Sequence, residues 1–133
     1  MTPDDNSAKT ILIVDDEPHI RALLAETLEE FTDRGVRLLI ADNGASGLEM
    51  ALTYRPNLIL LDVMMPKMNG YDVCEAIKKK HNLTDIYIAM LTAKGQESDK
   101  ERGHEVGADI YLTKPFDPDE IVAKASEVLG IAV

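Results

Sequence analysis

Cysteine is almost missing from this chain: Cys74 is the single example in 133 residues. Neither an intramolecular disulfide nor a thiolate zinc cluster is therefore available, and a reducing compartment suits the composition. Basic residues are also in short supply, with 14 Lys and Arg against 24 Asp and Glu and a net charge of -10. That balance opposes general attraction to phosphate backbones or anionic lipid, so no direct nucleic-acid binding is expected. No apolar run approaches the ~18 residues a membrane-spanning helix needs, which argues against membrane insertion. Residues 1–9 are polar and acidic instead of basic then apolar, so they are not read as a secretory leader, and a cytoplasmic location is expected. Repeats, linkers and low-complexity tracts are absent too. The length suits one domain that buries roughly two-thirds of its unfolded surface without help from disulfides or metal. Residues 9–130 are read as that domain, residues 1–8 as a flexible N-terminal segment and 131–133 as a tail.

What the chain does contain, from Thr10 onward, is short runs of Ile, Leu and Val alternating with segments of helical period, five times over. This is the pattern of βα units around a parallel sheet. The run 11–14 shows no polar alternation, as a strand covered on both faces should, and Asp15, Asp16 and Glu17 follow it. Pro18 suits a first helical turn, and Ile20, Leu23, Leu24, Thr27, Leu28 and Phe31 make an apolar stripe that Gly35 closes. A second strand is predicted over 36–41, broken by Asn43-Gly44, then a short helix over 47–54 with Leu48, Ala51 and Leu52 inward, stopped at Pro56. A third strand, 57–61, ends at Asp62; Pro66 and Asn69-Gly70 mark a loop before a helix over 71–80. The fourth strand, 86–91, ends at Thr92 and leads to a charged helix over 96–106 that Gly107 terminates. The fifth, 109–113, ends at Lys114-Pro115 before an amphipathic helix over 118–129.

The expected fold is thus α/β, a doubly wound, flavodoxin-like sheet of five parallel strands in the order 2-1-3-4-5 flanked by five helices. In such folds ligands bind beyond the carboxyl ends of the strands, where strand order reverses. That edge collects Asp15, Asp16, Asp62, Thr92 and Lys114, with the acidic pair facing Asp62 across the switch point. Three carboxylates so close repel and raise one another's pKa unless a cation intervenes, and an all-oxygen set suits a hard ion such as Mg2+. Singly, each residue has a plainer reading: Asp16 before Pro18 as a helix cap, Asp62 as a loop acid, Thr92 as a strand residue capping the next helix, Lys114 as a solvated charge. Their shared placement favours the joint functional reading.

Around these residues the chain resembles a known family. The stretches Ile11-Leu12-Ile13-Val14-Asp15-Asp16-Glu17-Pro18, Leu60-Leu61-Asp62-Val63-Met64-Met65-Pro66 with Asn69-Gly70, Leu91-Thr92-Ala93 and Tyr111-Leu112-Thr113-Lys114-Pro115-Phe116 are similar, in that order, to the receiver domains of two-component response regulators. The single-domain type of bacterial chemotaxis is included in that likeness, which spans residues 9–129. It implies that Asp62 accepts a phosphoryl group from a histidine kinase or histidine phosphotransfer protein. It also implies that Asp16, Asp62 and the Met64 carbonyl bind Mg2+ directly, with Asp15 acting through water. Lys114 and the Thr92 hydroxyl would then contact the phosphoryl oxygens. Tyr111 would change rotamer on activation, altering the surface of the fourth helix, fifth strand and fifth helix toward a downstream protein target. The Lys114-Pro115 bond is expected to be cis. Such a protein is a switch that assists its own phosphoryl transfer and dephosphorylation, not an enzyme. Met64 and Lys94 stand at the two positions that tune hydrolysis in the family; neither carries a carboxylate or amide to orient water, so a slowly hydrolysing phosphoryl state is expected.

Two other readings compete. A receiver-like binding module that works without phosphorylation would be favoured by loss of Asp62, Lys114 or the acidic pair, all of which are present. A flavin carrier or enzyme of the same topology would want a hydroxyl-rich or glycine-rich phosphate loop where Asp15-Asp16-Glu17 stand. Cys74 reads as a small core hydrophobe, and Met64, Met65 and Met68 as packing or partner contacts. His19, His81 and His104 lack metal-ligand spacing and are assigned no site. A monomer or a phosphorylation-dependent dimer is expected; Asp109-Ile110 departs from the paired acids that some dimerising transcriptional regulators of the family carry before the fifth-strand tyrosine.

Overall fold

Strand β1 (Thr10–Val14) is buried along its whole length, as its unbroken apolar run requires of a strand covered on both faces. This computed structural model describes residues 8–93 and 105–133. Four more parallel strands join β1: β2 (Arg37–Ala41), β3 (Leu58–Asp62), β4 (Tyr87–Ala93) and β5 (Ile110–Lys114), in the order β2-β1-β3-β4-β5. The register sets Val14 beside Ala41 on one side and Leu61 on the other, and Asp62 beside Leu91. The expected order and doubly wound architecture are thus the observed ones.

Side-chain alternation divides the core in two. Leu12, Val14, Ile59, Leu61, Ile88 and Met90 point to one face, where helices α3 (Gly44–Tyr54) and α4 (Gly70–Glu75) cover them through Ala51, Val73 and Cys74. Ile11, Ile13, Leu58, Leu60, Ala89 and Leu91 point to the other, under α1 (Pro18–Thr27), α2 (Glu29–Asp33) and α5 (Pro118–Leu129). Each fully buried Leu or Ile contributes about 1.5–3 kcal/mol of transfer free energy, so both layers are needed to hold the sheet.

Several local expectations are corrected. The first helix is divided at Leu28, and the seam that faces the sheet is Leu24, Leu28 and Phe31; Leu23 lies outside it, 43% exposed. Spacings of four and three residues keep one face, and Leu23 falls a third of a turn away. Helix α3 begins at Gly44, three residues before the expected start, because the Asn43 side chain accepts from Ser46 N at 2.8 Å and caps the turn. The helix expected over 71–80 is α only to Glu75 and continues as a π turn, Ala76–Lys80, closed by His81 N donating to Ala76 O at 2.9 Å. That wider turn accompanies an inward Lys78, whose ammonium bonds Asp109 Oδ2 at 2.9 Å and Thr84 O at 3.2 Å. Asp109 Oδ2 also accepts from Ile88 N at 2.8 Å, and Asp109 N returns a bond to Ile88 O at 2.9 Å, so this acid extends the β4–β5 ladder. The helix expected over 96–106 lies outside the described residues except for helical Glu105 and Val106, and the segment expected over 1–8 lies outside them except for Ala8. Helix α5 has the expected bounds; Asp117 caps it and Gly130, at φ 68°, ends it in the left-handed region that glycine enters without a Cβ clash.

Candidate functional site

The carboxyl ends of β1 and β3 lie side by side; Asp15 and Asp16 directly follow β1, and Asp62 is the last residue of β3. Asp15, Asp16 and Asp62 each offer a carboxylate oxygen, all within 4.8 Å of one another, and Asp16 is the least buried of the three. The Lys114 ammonium reaches between them from the end of β5, donating to Asp15 Oδ2 at 2.9 Å and to Asp62 Oδ1 at 3.1 Å. Asp16 does not cap α1: the capping position is Glu17, which makes no side-chain cap bond. Lys114 is not a solvated surface charge either, its side chain being 18% exposed.

Local packing aims Asp62. A Cβ on Gly70 would lie 2.4 Å from the Asp62 carbonyl oxygen, so only glycine lets the start of α4 close over this loop. Gly70 N donates to Val63 O at 3.0 Å, and Asn69 and Asp72 form a reciprocal capping box behind it. Asn69-Gly70 reads in the sequence only as a loop marker, although the Asn-x-x-Asp spacing carries the cap signal.

The two buried acids differ in how they are used. Asp15 spends both oxygens, Oδ1 on Glu17 N at 2.9 Å and Oδ2 on Lys114. Asp62 takes its bonds from Lys114 and, at 3.4 Å, from Met64 N on Oδ1 alone; among the described residues Oδ2 has no hydrogen bond. Burial, and next the charge of Asp15, push the Asp62 carboxyl up to about 6 against the pull of Lys114. Burial works against the Lys114 ammonium, but its bond to Asp15 and the charges of Asp62 and Asp15 outweigh that and hold its pKa above the usual lysine value. Two buried carboxylates therefore share one ammonium, with a third acid at the rim. Three oxygen donors with uncompensated negative charge fit a hard divalent cation such as Mg2+.

Thr92 is buried near the end of β4, one residue past Leu91, the partner of Asp62. Tyr111 pairs with Met90, is half-buried, and packs against the core face that Ile88 and Met90 line; alternation puts Thr92 on that face as well. The Lys114-Pro115 bond is cis. Met64 projects outward, 60% exposed, while Lys94 lies outside the described residues. Cys74 is fully buried, and burial pushes its thiol up to about 12, which agrees with a packing role. Arg21, which the sequence did not single out, donates from Nη1 to the Asp15 carbonyl at 2.9 Å. No helix among the described residues is long and apolar enough to cross a membrane.

Comparison with known proteins gives one answer. The family model described as the response regulator receiver domain matches residues 11–126. The chain is 46% identical over 121 residues to the phosphate regulon transcriptional regulatory protein PhoB of Pseudomonas aeruginosa, a match covering 91% of this chain and 52% of that protein. It is 44% identical to the alkaline phosphatase synthesis transcriptional regulatory protein PhoP of Bacillus subtilis, covering 91% of this chain and 48% of the other. It spans about half the length of these curated relatives. Among solved structures, the chemotaxis response regulator CheY4 of Vibrio cholerae superposes with a TM-score of 0.79 at 32% identity, over 92% of this chain and 99% of that one.

Proposed function

The chain belongs to the response regulator receiver domain family, and from that premise we propose that it takes a phosphoryl group onto Asp62 from a phosphohistidine of a histidine kinase or histidine phosphotransfer protein. Receiver domains are signalling switches and not enzymes in the ordinary sense. The observation that carries the assignment to Asp62 is its free Oδ2, beside an Asp15 whose oxygens are both engaged. In the proposed step Oδ2 attacks phosphorus, the phosphorus–nitrogen bond breaks, and its electron pair leaves with the imidazole. Oxygen replaces nitrogen on phosphorus and an acyl phosphate results. No general base is needed, because an ionised carboxylate has no proton to lose, and with its pKa near 6 the group is mostly ionised at pH 7 and above.

Attack on a phosphoryl group requires its negative charge to be masked, and catalysis of such transfers is mainly positioning and electrostatics. Asp15, Asp16, Asp62 and the Met64 carbonyl would hold Mg2+, which when bound supplies part of that masking. Lys114 supplies more: its ammonium, already 3.1 Å from Asp62 Oδ1, follows the new oxygens. The Thr92 hydroxyl turns toward them too, and the space it leaves admits the Tyr111 ring from the same sheet face. The outer surface of β5 and α5 then changes toward a downstream protein.

Incubation with acetyl phosphate, followed by intact mass, tests this reading. One phosphoryl group should be gained with Mg2+ and none in EDTA; a chain that stays unlabelled in both is a phosphorylation-independent binding module. The exposed Met64 offers nothing to orient a water, so the phosphoryl group should be long-lived. Met64→Asn should shorten its half-life by about three- to tenfold, below the effect of a full general base because an amide only orients. Chase of the labelled protein measures this, and an unchanged half-life sinks it.

A further inference from the structure

We propose that Arg21 is a positioning residue for the divalent-ion site, aiming Asp16 through the backbone that joins it to Asp15. The inference rests on the metal-binding reading above and goes beyond it.

Asp15 is 0% exposed, and each of its polar groups has a partner. Its N donates to Ala41 O at 3.2 Å, Oδ1 accepts from Glu17 N, Oδ2 accepts from Lys114, and the carbonyl accepts from Arg21 Nη1 at 2.9 Å. That carbonyl belongs to the peptide leading into Asp16. The Asp16 carboxylate, in contrast, has no hydrogen bond among the described residues, so no partner holds it and the backbone that carries it sets the directions open to its rotamers. Arg21 is fastened at its own end, in the first turn of α1, by its N donating to Glu17 O at 3.1 Å. The guanidinium therefore ties the helix to one of the two peptides that carry Asp16. A buried carbonyl deprived of this donor would turn to find another, and Asp16 would turn with it.

The sign of the effect separates this role from simple charge. Removing a cation near three carboxylates should, by Coulomb's law alone, tighten divalent-ion binding. Positioning requires the opposite.

The test is calorimetric titration with Mg2+ alone on the unphosphorylated chain, with thermal melts as a folding control. Arg21→Gln should weaken the Kd by about tenfold, the scale seen when a partner that orients a metal ligand is lost. Arg21→Lys keeps the charge and one donor but not the planar fork, and should lose about threefold. Labelling by acetyl phosphate at saturating Mg2+ should return to near the parent rate, placing the defect in metal dependence. An unchanged or tighter Kd in Arg21→Gln overturns the proposal. Should that variant melt below the assay temperature, Arg21→Lys decides alone: a weaker Kd supports positioning and an equal one overturns it. A parent that binds no Mg2+ would refute the metal reading itself, a result distinct from either.

Discussion

Asp62→Asn should abolish labelling by acetyl phosphate and, in EDTA at pH 7.5, should melt at a higher temperature than the parent. Loss of labelling follows because an amide is no nucleophile toward phosphorus. The gain in stability follows from burial. Asp62 is 4% exposed and its carboxyl is raised from 3.8 to about 6, so the ionised form is held in the folded protein at a cost. Two units correspond to about 2–3 kcal/mol, a figure in which the attraction of Lys114 is already counted, so the expected gain is about 2–3 kcal/mol at most, or up to about 10 °C. The sign with pH is set by the same shift. Above pH 6 the proton is absent from both folded and unfolded states and the full penalty is felt. As pH falls through 6 toward 3.8 the folded state binds the proton first, so the metal-free parent gains stability over that window. The difference between parent and Asp62→Asn melts, taken at pH 7.5 and pH 5, isolates this group from others that titrate. It should shrink at the lower pH; a difference that stays constant would mean that the buried charge is not what the asparagine relieves.

Much of this site was legible in the sequence, for a physical reason. Parallel strands covered on both faces carry unbroken apolar runs, and 11–14 and 58–61 are of that kind, so the acids after them fall at known strand ends. Strand order then brings Asp15 and Asp16 to Asp62, and the fifth strand's last residue, Lys114, to both. The π turn at Ala76–Lys80 was not legible, because nothing in a run of helical period announces that Lys78 will turn inward to an acid 31 positions later. The break at Leu28 and the outward Leu23 are likewise decided by how α1 and α2 meet the sheet. Arg21 escaped because an arginine on a helix ordinarily faces solvent, and its partner is a backbone carbonyl with no residue identity to read. Local periodicity reports which face is buried; it does not report which polar group that face must satisfy.

Lys114→Met should shift stability in the opposite direction from Asp62→Asn. Methionine keeps most of the buried stem but deletes the ammonium that both Asp15 and Asp62 use. Asp15 at 0% exposure then loses the donor to Oδ2, and two buried carboxylates face each other with no cation between them. Breaking a buried pair by removing one partner costs about 3–5 kcal/mol, and the partial exposure of Lys114 puts the expected value near the lower end, about 3 kcal/mol or roughly 10 °C. Millimolar Mg2+ should restore more of the melting temperature in this variant than in the parent, since a divalent ion supplies the missing positive charge at the same acids. Labelling by acetyl phosphate should fall by at least about tenfold even with Mg2+ saturating, because the phosphoryl oxygens lose a charge-assisted donor that the ion does not replace. Melts of Lys114→Met, Asp62→Asn and the double variant in EDTA close the cycle. With Asp62 neutral, loss of Lys114 leaves one buried anion unpaired instead of two, so the double variant should be less destabilised than the sum of the single changes requires. Strict additivity would mean that Lys114 and Asp62 do not act on each other, and a Lys114→Met melt equal to the parent's would mean that the ammonium is not what allows these acids to be buried together.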